Sequence, residues 1–334
     1  MKYQNLTIII PTKNRSNFLI PLLDYYNLIN FNGTIFLADS SDEQHFNEVS
    51  AYLKKNKKNF KYNHYDTKNL DVSKSIVKVS EFIETKYCLQ ISDDDFLFSE
   101  GIKDALKFLD NNNNYVGCQG RGLSCLVYSE ANKVKCGKIS FYRMGSCIEN
   151  DPLKRVKNYT KNKKNILFAI YRVSIFKKIL LNFDLSDDAF KNDFLVAVKA
   201  LLLGKIGQVK KLYCFHLIFQ GNKSLVTIDN YFKYESHQNF DKAAITIQNF
   251  LIEKNLIFDN NENISNQIMY GYLNYKINTI YFTLSKSKLY LRLSFLNKTF
   301  LNYIMYLLFY KYDLKLIKLP KKIIETKWTH PPQR

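Results

Sequence analysis

Three consecutive carboxylates, Asp93, Asp94 and Asp95, follow a segment in which Tyr87, Leu89 and Ile91 alternate with other residues. That alternation predicts a half-buried strand with the carboxylates at its tip. Neighbouring anions repel one another, and the repulsion is relieved where a divalent cation or a donor-rich ligand sits among them. The residue types therefore point to a metal site. A plainer role competes: aspartates before Phe96, Leu97 and Phe98 equally suit a solvated acidic turn or the cap of a helix starting there.

A second acidic segment carries Asp184, Asp187, Asp188 and Asp193 and leads into the apolar run 195–203, which Gly204 closes as a C-cap glycine does. The pattern predicts Asp193 in the first turn of a packed helix, from which a rigid scaffold can aim a carboxylate at a substrate. The same place suits an acid that only stabilises the helix dipole. Asp187 and Asp188 are rivals. The six cysteines, at 88, 118, 125, 136, 147 and 214, form neither a C-x-x-C pair nor a Cys/His group with zinc spacing, and are expected as reduced, buried thiols.

These groups must be positioned by the elements around them. Residues 6–10 form an apolar, β-branched run ended by Pro11, and 12–16 a polar turn; 17–29 has helical spacing. A second strand over 34–38 ends at Asp39, a helix covers 46–54, a strand 60–65 and a helix 72–84, before the acid-tipped strand. Strands and helices alternating at this spacing predict a parallel sheet with right-handed crossovers, whose ligands bind beyond the carboxyl ends of the strands. Thr12, Arg15, Asp39 and the triplet meet at that edge. Neither G-x-G-x-x-G nor a P-loop pattern is present. Downstream, 101–109 reads as a helix, 115–125 and 126–136 as strands, and 206–219 as a strand carrying His216. The basic stretch 154–165 reads either as a mobile, acceptor-facing segment or as a solvated charge run.

The chain has 334 residues, 46% apolar and 15% aromatic, enough for a large folded core. Its 49 Lys and Arg outnumber 30 Asp and Glu, and the resulting +19 favours an anionic partner: a nucleic acid, a phosphate-bearing ligand or an acidic membrane. No signal peptide and no uninterrupted apolar span of membrane length is recognised, which predicts a cytoplasmic protein. Helices are expected over 231–254 and 264–284. The stretch 289–322 mixes aromatics with lysines, as an interfacial membrane helix does, or as helices packed on the rest of the protein do. From Trp328 onward the chain is expected to fray.

The strand ends Pro11-Thr12-Lys13-Asn14-Arg15, Ala38-Asp39-Ser40-Ser41 and Ser92-Asp93-Asp94-Asp95 together resemble the nucleotide-sugar half of a family 2 glycosyltransferase. The segments 151–159 and 168–172 are similar to a less studied bacterial branch. The likeness covers about residues 5–225. It implies an α/β GT-A fold, a Rossmann-like sheet with helices on both faces, in a domain over 1–226. Residues 1–99 would form the nucleotide half and 100–226 the acceptor half, with a helical accessory region over 227–334.

The resemblance also implies roles. Pro11, Thr12 and Arg15 would line the nucleotide pocket, Asp39 would meet the base, and Lys74 would lie near the nucleotide. Asp93 would meet the ribose and Asp95 a divalent Mn or Mg ion, with Asp94 the ligand in the alternative register. Asp193 matches the family's general base, although Asn192 departs from its acidic pair. Gln220 stands where the family often has histidine, and His216 is either its substitute as a metal ligand or a structural histidine. The implied reaction is an inverting sugar transfer from a nucleotide-sugar donor to a bacterial surface glycan such as lipooligosaccharide, capsule or O-antigen. The acceptor would be lipid-linked, with a peripheral membrane contact through 289–322 at the inner face of the cytoplasmic membrane; an oligomer is left open and no nucleic-acid partner is expected. Two other classes compete: a nucleic-acid-binding protein, which explains the charge but not the clustered acids, and a nucleotidyltransferase, which uses acidic strand ends in the same way.

Overall fold

The structure is a computed structural model that describes residues 3–55, 57–130, 133–162, 164–180, 189–219, 237–256, 262–269, 271 and 314–328. Its first part alternates as the sequence predicts: β1 (Leu6–Thr12), α1 (Ser16–Leu28), β2 (Thr34–Asp39), α2 (Glu43–Lys55), β3 (Lys61–Asp66), α3 (Val72–Ser80) and β4 (Tyr87–Gln90). The four strands are parallel, in the order β3-β2-β1-β4. Their apolar residues divide between two cores. Ile8, Ile10, Ile35, Leu37 and Leu89 face one, whereas Ile9, Phe36, Ala38 and Cys88 face the other. Strands buried on both faces read as continuous apolar runs, which is why β1 and β2 are legible. The same holds for β4, which is buried throughout rather than half-buried.

The second part is β5 (Phe96–Leu97), α4 (Ser99–Asn111), β6 (Tyr115–Glu130), β7 (Lys133–Tyr142), α5 (Pro152–Asn162), β8 (Ile170–Arg172), α6 (Val173–Leu180), α7 (Ala189–Leu203) and β9 (Lys205–Phe219). The sheet continues from β4 through β8, β6 and β9 to β5, with β7 on β6. It is therefore mixed: β8 runs antiparallel to β4 and β6, and β5 antiparallel to β9.

Three local expectations are corrected. Phe96 and Leu97 pair with Phe215 and Cys214, so the residues after the triplet extend the sheet and a helix begins only at Ser99. Residues 115–130 form a single strand, whose register shift between Cys125 and Val127 falls where two strands were expected. The basic stretch from 154 is an ordered helix: Lys154, Lys157 and Lys161 are exposed, while Arg155 is buried and donates to the carbonyls of Leu201, Glu149 and Asn150 at 2.7 to 2.9 Å. Helix α4 lies so close to β9 that a Cβ on Gly101 would stand 2.3 Å from the Leu212 carbonyl oxygen.

Helices α8 (His237–Glu253) and α9 (Leu314–Lys327) pack on this frame. Ala244, Ile247, Phe250 and Leu251 of α8 join the core of α3, α6 and α7. Ile317, Ile323 and Ile324 of α9 join the core of α1 and α4, so the described part of 289–322 turns its apolar side to the protein; residues 289–313 lie outside the described residues. Trp328, expected to fray, is buried at 4% exposure. None of the described helices is long and apolar enough to cross a membrane. All six cysteines are free thiols, five of them buried.

Candidate active site

Parallel pairing of β1 with β2 sets Thr12 beside Asp39 at the carboxyl edge of the sheet. The turn that follows β1 is pinned to the turn that follows β2. Asn14 adopts φ of 54°, a left-handed conformation that asparagine tolerates. Its N–H donates to Ser41 Oγ at 2.7 Å and its Oδ1 accepts the Asp42 N–H at 2.8 Å. Arg15, at the start of α1, is thereby aimed across β1 toward the end of β4. Its guanidinium forks between two aspartates, with one terminal nitrogen 2.6 Å from Asp93 Oδ1 and the other 2.7 Å from Asp94 Oδ2. Thr12 Oγ1 donates to the other Asp93 oxygen at 2.7 Å.

All three triplet carboxylates are buried, so the solvated-turn reading fails. Burial pushes the Asp93 carboxyl up; Arg15 and Thr12 oppose this, the adjacent Asp94 and Asp95 add to it, and the result stays above the usual carboxylate range. Burial pulls Arg15 down, but Asp93, Asp94 and Asp95 outweigh it and hold the guanidinium above its ordinary value. The guanidinium thus pairs directly with Asp93 and Asp94 and feels the charge of Asp95 at longer range.

Asp95 is held differently. His216 Nδ1 lies 2.9 and 3.1 Å from its two oxygens, and the Leu217 N–H donates to Oδ1 at 2.9 Å. A carboxylate oxygen accepts, so Nδ1 of the ring carries the proton in this contact. Tyr142 stacks on the same imidazole with ring centres 4.3 Å apart. An ion on Asp95 would have to displace these donors. Among the described residues no group of three His, Cys, Asp or Glu side chains is placed to hold a metal, so a divalent ion here would need oxygens from a ligand.

Asp39 is fully buried. The Ser41 N–H donates to Oδ1 at 2.9 Å, and His64 Nε2 lies 2.8 Å from Oδ2. His64 is itself set by Ser50 Oγ, 3.1 Å from Nδ1, and by Phe46, which stacks on it at 4.1 Å. Sequence reasoning missed both His64 and Phe46. The available signal was a histidine one residue before Tyr65 in a strand adjoining the one that ends in Asp39.

Other sequence-predicted residues fall outside this cluster. Pro11 lies in β1 opposite Ala38, half-buried. Lys74 pairs with Asp71, the N-cap of α3, at 3.1 Å and is 44% exposed. Helix α7 begins at Ala189, so Asp193 sits beyond its first turn, and the dipole role proposed for it loses its basis. The Asp193 side chain, Asp187, Asp188 and Gln220 lie outside the described residues.

No protein-family model matches the chain, and no curated protein matches it. Solved structures do. The crystal structure of S. aureus TarS 1-349 matches with a TM-score of 0.51 at 20% identity, covering 84% of this chain and 75% of that one. The same protein in complex with UDP-GlcNAc matches with a TM-score of 0.53 at 20% identity, over 84% and 76%. Its UDP complex matches at 0.50 and 19% identity, over 84% and 75%. Likeness at this identity establishes architecture, and with the carboxyl-edge cluster built on four parallel strands, the chain has the GT-A fold.

Proposed function

We propose that the chain is a glycosyltransferase that moves a sugar from a nucleotide-sugar donor to a hydroxyl of an acceptor glycan. The observation that carries this reading is the Arg15 fork between Asp93 and Asp94, beside Thr12 and Asp39, at the ligand-binding edge of a fold that in TarS takes UDP-GlcNAc. Ligands of open α/β sheets bind outside the carboxyl ends of the strands, where this cluster stands.

In this reading Asp39, fixed by the Ser41 N–H and His64, accepts from the base. Asp93 and Thr12 meet the ribose, and Lys74 approaches the nucleotide from the surface. A divalent Mn or Mg ion would be held by a carboxylate of the triplet, Asp95 or Asp94, with the remaining ligands supplied by oxygens of the donor. When bound, such an ion neutralises charge on the departing diphosphate. Asp193, on α7, takes the proton of the attacking hydroxyl. A base on the face opposite the leaving group gives inversion at the sugar carbon. The excess of 19 positive charges suits an anionic, lipid-linked surface glycan as acceptor.

A thermal-shift series with UDP, GDP, CMP and their sugars, with and without Mn²⁺, tests the reading. One nucleotide set is expected to raise the melting temperature, because a ligand of the native state alone stabilises it. Turnover is expected to release a nucleotide diphosphate. Release of pyrophosphate would instead mean a nucleotidyltransferase, and a protein that no nucleotide stabilises is not this enzyme.

A further inference from the structure

Trp328 is the only tryptophan in the sequence, and it directly follows α9. Its indole meets three phenylalanines: Phe18 edge-on at 4.8 Å, Phe219 at 6.0 Å and Phe96 at 6.4 Å. Each belongs to a segment that carries a site residue. The Arg15 guanidinium carbon lies 5.1 Å from the Phe18 ring centre. Phe96 directly follows Asp95. Phe219 ends the strand from which His216 and the Leu217 N–H grip Asp95.

The helix that delivers the indole is clamped at two places. Lys327 forms an ion pair with Asp24 of α1, and Glu325 Oε1 accepts the Cys136 N–H of β7 at 3.1 Å. The buried indole Nε1 has no hydrogen-bond partner among the described residues, so ring packing alone fixes the side chain. A buried donor left without a partner is costly.

We infer that Trp328 is a positioning residue of the donor site: its ring is the common floor that fixes the heights of Arg15, Asp95 and His216 relative to one another. The inference rests on the glycosyltransferase reading for its ligand, but the positioning itself is measurable without one. Because the floor is shared, removing it lets three segments settle independently, and small displacements of charged groups cost much more in binding than in folding.

The test compares the unsubstituted protein with Trp328→Ala and Trp328→Phe, well below their melting temperatures. Trp328→Ala is expected to weaken binding of the stabilising nucleotide by about tenfold or more, and Trp328→Phe to restore it to within about twofold. Amide exchange in Trp328→Ala should quicken at Leu217 and over 15–18 and 93–97 while β2 and β3 stay protected. In the wild-type protein, the emission of the single tryptophan should change as nucleotide saturates. Undiminished affinity in Trp328→Ala, evenly raised exchange across the sheet, or an emission blind to saturating nucleotide would each overturn the inference. Should Trp328→Ala fail to fold, Trp328→Leu and the wild-type emission decide the matter. If the wild-type protein binds none of the nucleotides, the glycosyltransferase reading falls by itself, and the exchange pattern still supports or overturns the positioning role.

Discussion

Nδ1 of His216 stands 2.9 Å from Oδ2 of Asp95, across 121 residues of chain, and joins the last long strand of the sheet to the end of the acidic triplet. The contact divides the triplet into parts with different work. Asp95 ties the two halves of the sheet together, while Asp93 and Asp94 face Arg15.

Asp95→Asn should therefore act on stability first. An amide can keep one hydrogen bond but cannot serve both His216 and the Leu217 N–H as a charged acceptor. Hydrogen bonds to charged groups contribute about 1.5–3 kcal/mol, and a loss of that size is expected in chemical denaturation. Asp94→Asn should also lower the denaturation midpoint, because it removes one charged arm of the buried Arg15 fork, and should in addition abolish the response of nucleotide binding to Mn²⁺.

Arg15→Met would leave Asp93 and Asp94 buried without their cation. Removing one partner of a buried pair costs about 3–5 kcal/mol, and adding Asp93→Asn should recover part of that loss. A double-mutant cycle by urea denaturation measures the coupling. Additive losses would show that the fork contributes little.

Lys199 of α7 is almost fully buried, with its ammonium 5.2 Å from the Phe250 ring. Burial pulls it down from 10.5 to about 8, against a smaller upward pull from Glu253. Below that value the folded protein must bury the charge. Between about pH 8 and 10.5 the unfolded chain binds a proton that the folded one does not, so this group's contribution to stability rises with pH across the window. Lys199→Met should raise the melting temperature at pH 7 and flatten the profile between pH 8 and 10.

Asp193→Asn tests the proposed base. The turnover number should fall by about 10²–10⁴ while nucleotide affinity stays within about twofold, read by single-turnover assay and by titration. Equal turnover in the two proteins would return the role to Asp187 or Asp188.

The parallel strands were legible because burial on both faces leaves uninterrupted apolar runs, as in Ile8, Ile9 and Ile10. Thr12, Asp39 and the triplet followed from the rule that parallel strands present their carboxyl ends together. Less was visible where long-range pairing decides. Phe96 and Leu97 form a strand only because Phe215 and Cys214 come alongside, and nothing local distinguishes them from a helix start. His64 pairs with an aspartate that ends a neighbouring strand and His216 with one in the turn between β4 and β5, at separations of 25 and 121 residues, and such choices are made by the sheet's register. Trp328 was misread for the same reason, since its three ring partners all lie more than a hundred residues away.

The ion pair between Lys327 and Asp24 spans 303 residues, and it has a consequence for synthesis on the ribosome. Phe18, Phe96 and Phe219 emerge in turn but have no indole to cover them until residue 328 has been translated. Until then the nascent protein carries a greasy, aromatic hollow beside its acidic cluster, and a premature stop before Trp328 would leave that hollow permanently open to chaperones, proteases and other unfinished chains.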